Sequence, residues 1–448
     1  MKTSLQSPLF KQVSNYWGKS FNLTVKWFVV MWRLGFFFHE IAFGLLSVFI
    51  PLYLVAFKDT SILGGPLVAL GAMTSIAIFC SIPASFLWGY LCDATRHYKA
   101  FILLSFLSSA VILFLMALPF AQNIILFVIL YVVMQMLHVS HEAPKNVLIA
   151  EHYSRQDWEK SYGFYEGLTE IGFIVGLAIG LVLTVGLFAF TAALSSAVLA
   201  TYTLYLCSGL SLVAFSLSLV LIADPLMIFE RRLVGMERTL DFTYRGVESY
   251  GLRWSGSLEQ ESFLRFAFAI VVFSLASSLF FTPLPIYLKT IFNGQSSMVY
   301  VAYILNSVGA TAGYFLIRNR ARSMDLRKQM PRFVLFRSLL IFLMVGIIQL
   351  AFSPTIMTGV FLVFLGFAYA MYYIMMISLS MELIPEGKAG FFDGLVGLGA
   401  AIGSFLGPFL CNLFLHMGLT QNFLPTFLIA GVLFFFAFLI LKIFAIKN

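Results

Sequence analysis

Apolar stretches of roughly twenty residues recur about twelve times along this chain, divided by short polar loops. A stretch of that length is what an α-helix needs to cross a bilayer. No water reaches that depth to satisfy backbone N–H and C=O groups, so only helices or closed barrels can span. A barrel strand would show about ten residues of alternating polarity, which these runs do not. Composition agrees: 11% of residues are charged and 60% hydrophobic, against roughly 25% charged in a soluble domain. The pattern predicts an all-α polytopic membrane protein with spans near 27–56, 66–92, 100–120, 123–146, 161–190, 197–222, 262–290, 297–317, 333–352, 355–380, 389–415 and 423–445.

The balance of +8 does not mark a nucleic-acid binder, because its basic residues sit in loops. With the N-terminus cytoplasmic, the inner segments hold Arg96, Lys99, Lys145, Arg155, Lys160, a group from Arg231 to Arg253, a run from Arg318 to Arg332, and Lys388. The outer loops hold only Lys58 and Lys289. Basic residues stay on the cytoplasmic side, so both termini are expected there, in a protein of the plasma membrane surrounded by lipid. A monomer is expected. The first 26 residues carry four lysines and no early apolar core with a cleavage site, so the first span is expected to act as its own insertion signal. Cys80, Cys92, Cys207 and Cys411 fall in or beside spans and read as small buried residues, not a disulfide or zinc framework. The chain thus divides into an N-terminal cytoplasmic segment (1–26), a six-helix bundle (27–222), a charged cytoplasmic linker (223–261) and a second six-helix bundle (262–448).

The two bundles resemble each other. Gly163-Phe164-Tyr165-Glu166-Gly167-Leu168 opens the fifth span, and Gly390-Phe391-Phe392-Asp393-Gly394-Leu395 the eleventh. Gly172, Gly176 and Gly180 then run in step with Gly399, Gly403 and Gly407, a spacing that lets helices approach closely. Ile50-Pro51-Leu52-Tyr53 matches Leu284-Pro285-Ile286-Tyr287, and Gly89-Tyr90-Leu91 matches Gly313-Tyr314-Phe315. Repeated halves around a midplane site are typical of alternating-access transporters.

With twelve spans, 6+6 halves and a central linker, the chain resembles the major facilitator superfamily along nearly its whole length. The most specific local mark is Gly89-Tyr90-Leu91-Cys92-Asp93-Ala94-Thr95-Arg96-His97-Tyr98-Lys99, set against the family's Gly-x-Leu-x-Asp-Arg-x-Gly-Arg-Arg. Gly89, Leu91 and Asp93 match. Ala94 and Arg96 stand where the family has Arg and Gly, and the basic pair is displaced. The resemblance implies a cytoplasmic gate of Gly89, Asp93, Arg96 and Lys99, with Asp93 facing the start of the eleventh helix, where the helix dipole favours an anion. Glu166 and Asp393, matched in the repeat, are assigned to the same gate. Ordinary turn and topology charges would look the same.

Ionisable residues inside the membrane are costly and mark functional sites by default. The first span carries His39 and Glu40; the fourth carries Gln135, His138, His141, Glu142 and Lys145; the fifth carries Glu166 and Glu170. The second half offers only Asp393 and neutral groups such as Asn306 and Tyr373. Tyr131, Gln135, His138, Glu142 and Lys145 recur at three or four residues and share one helix face. By the resemblance, spans one, four, seven and ten line the cavity, bringing Glu40 beside the His138/Glu142 stripe. A carboxylate and an imidazole removed from water can exchange protons near working pH. Glu40 is therefore the expected carrier of a coupling proton, tuned or relayed by His39, Gln135, His138 and Glu142, with Glu170 a second candidate.

Arg33 and Lys145 are expected near cytoplasmic ends, leaving no central cation, which weighs against phosphate or carboxylate cargo. Aromatic residues such as Phe281, Tyr369 and Tyr373, with a carboxylate nearby, suit a neutral or cationic, amphipathic organic solute; the same rings also serve plain packing. A divalent-metal transporter using the His/Glu cluster of spans one and four, or a non-transporting sensor or scaffold, are the alternatives. His138-Val139-Ser140-His141-Glu142 is neither the His-Glu-x-x-His nor the His-x-x-Glu-His metalloprotease motif, and no phosphate-binding Gly-rich loop is present. No enzyme activity, cofactor or resident metal is expected.

Overall fold

The computed structural model describes residues 31–57, 59–152, 158–185, 196–224, 263–320, 325–349, 354–383, 389–418 and 421–445. Twelve helices are long and apolar enough to cross a membrane, and the described residues contain no strand. The linker expected at 223–261 lies almost wholly outside the described residues.

The first, second and third spans are Arg33–Phe57, Pro66–Thr95 and Tyr98–Met116. The fourth is two helices, Ile124–His138 and Glu142–His152, joined by a 3-10 turn at Val139–His141. The fifth and sixth are Trp158–Val185 and Ser196–Leu221. The seventh is broken at Thr282–Pro283, giving Phe263–Phe281 and Leu284–Ile291, since proline cannot donate the helical hydrogen bond and its ring crowds the preceding turn. The remaining spans are Ser296–Arg320, Leu326–Gln349, Pro354–Leu383, Ala389–Leu413 and Leu424–Leu439. The ninth helix begins seven residues before the apolar run suggests, so its start is drawn from the basic segment.

The halves are built alike. First on fifth matches seventh on eleventh; first on sixth matches seventh on twelfth; third on sixth matches ninth on twelfth. Second on fourth likewise matches eighth on tenth, and third on fourth matches ninth on tenth. The two bundles then meet along two equivalent seams, fifth against eighth and second against eleventh. Within each half, the glycines of the repeat explain the close pairing of fifth on first and eleventh on seventh. A Cβ on Gly172 or Gly176 would lie 2.6 and 2.0 Å from the carbonyl oxygens of Phe37 and Ile41. On Gly399 or Gly403 it would lie 2.2 and 2.3 Å from those of Val271 and Leu275. Only a residue without a side chain allows these backbones to touch. The lipid-facing surface keeps large apolar side chains outward, among them Phe79, Val220 and Leu264.

Candidate functional site

The ionisable residues of the first half converge on a cavity of about 140 Å³. It is lined by Glu40 of the first span, His141, Glu142 and Lys145 of the fourth, Tyr165, Glu166, Thr169, Glu170 and Phe173 of the fifth, and Tyr373 of the tenth. Four carboxylates thus surround one ammonium, and the expectation of no central cation is corrected: Lys145 lines the cavity. Glu142 and Lys145 form a direct ion pair one turn apart. Glu170 lies close to Ser307 of the eighth span, which brings the cavity wall against the other half. Glu166, expected at the gate, lines this cavity.

Beside the cavity the imidazoles form a cluster. His39 Nε2 and His138 Nδ1 lie 3.1 Å apart. His141 Nδ1 donates to the His138 carbonyl at 2.7 Å and lies 3.0 Å from Ser105 Oγ. His141 Nε2 sits 3.3 Å from Glu142 Oε1. The rings are wrapped in aromatic surface, with His39 stacked on Phe106 and His138 on Phe43. Gln135 lies one turn before His138 and interacts with Tyr131.

This convergence depends on the broken fourth helix. Pro144 has no N–H for the Ser140 carbonyl and its ring crowds that turn. The Glu142 N–H bonds Val139 instead of His138, freeing the His138 carbonyl for His141 and for the Ser105 hydroxyl at 2.8 Å. The tighter turn swings His141 into the cluster. On a continuous helix it would sit at the edge of the Gln135/His138/Glu142/Lys145 stripe, three residues after His138 and four before Lys145; the tightened turn decides which groups it meets. Pro144 was the available signal. The His39, His138 and His141 ligand atoms also lie within 4.8 Å of one another, near enough for a transition metal, but the hydrogen bonds above already account for the short approaches.

The aromatic candidates of the second half divide. Tyr373 lines the cavity and stacks on Tyr369, with centroids 5.6 Å apart. Tyr369 and Phe281 do not line it; both cover a guanidinium that sequence reasoning passed over. Arg337 lies three turns inside the ninth span, only 1% exposed, with Phe273, Phe281, Tyr369 and Phe434 centroids 5.0–5.4 Å from its central carbon. The expectation that the second half holds no buried charge beyond Asp393 is therefore corrected. The expected span, 333–352, put Arg337 barely one turn from its basic end, and the expectation for the second half passed over it; the helix begins at Leu326 and carries it three turns in. Asn306 of the eighth span is half-buried, with its Oδ1 enclosed and without a hydrogen-bond partner among the described residues.

At the basic end, Arg96 caps the second helix in the left-handed region at φ 60°, its N–H bonded to the Cys92 carbonyl. This is the position where the family pattern has glycine. Lys99 is committed to the end of the sixth span: its Nζ donates to the Leu219 carbonyl at 2.6 Å and its N–H to Asp224 at 2.7 Å. Gly89 has open space around it, and the Asp93 and Asp393 side chains lie outside the described residues. The Phe86 ring of the second span rests against Gly394 at the start of the eleventh. Nearby, Phe164 is held between Arg33 and Arg318, guanidinium carbons 4.9 and 4.4 Å from its centroid, one from each half.

A family model described as Major Facilitator Superfamily matches residues 33–408. Among solved structures, the nucleoside transporter NupG aligns at TM-score 0.62 and 16% identity over 93% of this chain and 99% of its own. The partially occluded inward-open xylose transporter XylE from E. coli aligns at 0.62 and 13%, over 92% and 98%. The E. coli fucose:proton symporter FucP aligns at 0.59 and 14%, over 94% and 98%. No curated protein matches the chain.

Proposed function

The chain belongs to the major facilitator superfamily and is a secondary transporter, not an enzyme; on that premise we propose that it couples a small neutral or cationic, amphipathic organic solute to protons by alternating access. The observation that carries this reading is the cavity where Glu40, Glu142, Glu166 and Glu170 face the single cation Lys145. Like charges this close repel in a low dielectric, and either a proton or a cationic solute relieves the repulsion. The aromatic walls, Tyr165, Phe173 and Tyr373, suit such a solute. Glu40 is the proposed proton carrier. The neighbouring imidazoles supply two contacts at which a proton can exchange, His39 with His138 and His141 with Glu142.

The gate is proposed at the basic end, from Gly89, Asp93, Arg96 and Lys99 with Asp393, where the second and eleventh spans pack. Both termini are proposed to face the cytoplasm, across the plasma membrane. Glu40→Gln in proteoliposomes tests the reading: solute-driven proton flux should vanish while solute exchange persists, and unchanged coupling overturns the assignment. One observation favours a second reading, the three imidazoles within 4.8 Å of each other. Uptake of a transition-metal ion in the same vesicles would favour metal transport. Absence of any flux would favour a sensor.

A further inference from the structure

We infer that the interior of the second half holds a small-anion site built on Arg337, with the hydroxyls of Ser277 and Tyr372 as further donors, taking chloride or a carboxylate group. Arginine keeps its charge in proteins, so this guanidinium is a permanent cation enclosed between the seventh, tenth and twelfth spans. Buried charges are ordinarily paired. Among the described residues Arg337 has no carboxylate partner, and its Nε and Nη1 have no hydrogen-bond acceptor. The rings that surround it attract a cation with their faces but offer its N–H groups no oxygen.

Two further orphans belong to the same place. Ser277 Oγ has no hydrogen-bond partner, and it sits one turn from both Phe273 and Phe281, the two seventh-span residues whose rings cover the guanidinium. The Tyr372 hydroxyl is likewise without a partner, while its ring stacks on Phe273 at 3.6 Å and it lies within electrostatic reach of Arg337. Three groups able to donate hydrogen bonds, one of them charged, are thus left without acceptors in one apolar bundle. An anion supplies what all three lack. Tyr369 covers Arg337 and stacks on Tyr373, a wall of the central cavity, so one pair of rings separates the two.

The test uses the purified full-length protein in lipid nanodiscs. Thermal unfolding is followed while chloride, or separately acetate, replaces a bulky sulfonate (isethionate) at fixed ionic strength. The expected result is a saturable rise in midpoint with at least one small anion. Arg337→Met should abolish it. Ser277→Ala and Tyr372→Phe, which only remove a hydroxyl, should each weaken the apparent anion affinity by roughly three- to tenfold, and they keep the test decisive if Arg337→Met does not fold. Saturation by chloride alone identifies an inorganic ion; saturation by acetate, competing with chloride, identifies the site with a carboxylate-bearing ligand. No saturable shift with either ion, or a shift that persists unweakened in all three variants, overturns the site. Proton coupling through Glu40 is untouched by either result.

Discussion

The two halves share a scaffold and divide the chemistry. Every major helix pairing in the first bundle recurs in the second, and the glycine contacts recur in register, Gly172 and Gly176 on Phe37 and Ile41, Gly399 and Gly403 on Val271 and Leu275. The charges do not. The first half contributes four carboxylates, a lysine and three histidines to one connected region, whereas the second places one guanidinium in an aromatic cage. Packing between equivalent helices has to be preserved on both sides for the halves to rock as equivalent bodies. Ionisable groups are expensive in this solvent, and one set suffices to serve a cavity that both halves enclose.

The comparison can be broken at its charged side first. Lys145→Met leaves Glu142 without its partner and should cost about 3 kcal/mol, the low end for breaking a buried pair, because Glu142 retains 36% side-chain exposure. Adding Glu142→Gln should recover most of that loss, measured by unfolding in nanodiscs; an additive double variant would mean that the pair is not a unit.

The shared scaffold is sharpened by matched glycine variants. Gly176→Ala and Gly403→Ala each drive a Cβ to 2.0 or 2.3 Å from a backbone oxygen, and each should cost about 1–3 kcal/mol. Gly209→Ala, with open space around it, should instead gain up to about 1 kcal/mol from helix propensity. Unequal costs in the two halves would show that the matching contacts carry different loads.

Arg337→Met tests the lone charge of the second half. Four cation–π contacts return about 0.5–2 kcal/mol each, against several for burying an unpaired ion. In buffer lacking small anions the variant should unfold later than the parent, by about 1 kcal/mol; earlier unfolding would make the aromatic cage a sufficient partner.

The smallest effect is expected at the departure from the family loop. Arg96 adopts a backbone conformation that glycine takes freely, so Arg96→Gly should add roughly 1 kcal/mol. No gain would place the compensation in the Arg96 side chain.

Much of this was legible from sequence because the bilayer imposes a strong code. A helix must satisfy its own backbone, so span length and loop charge announce themselves, and the glycine steps of the fifth and eleventh spans are visible as spacing before any contact is known. Glu40, His138 and Glu142 stood out because an ionisable group in an apolar run has few explanations. His141 stood out with them as part of a His/Glu cluster, but its contacts with the His138 carbonyl and Ser105 did not, since they depend on the tightened turn at Val139–His141. Glu166 was legible as a charge but not as a cavity wall, because its repeat partner Asp393 pointed to the helix start. Arg337 lay inside the expected span 333–352 but near its basic end, and its depth emerged only because the helix begins at Leu326.

Sequence alone therefore determined the twelve helices, their duplication and the concentration of ionisable residues in the first half, because each is a property of local composition in a solvent without water. Tertiary structure alone decided which of those residues face one another. The distances that join Glu40 to Glu166, His39 to His138 and Arg337 to its rings are set by helix rotation, a broken turn and the contact of separate spans, and no local pattern encodes them.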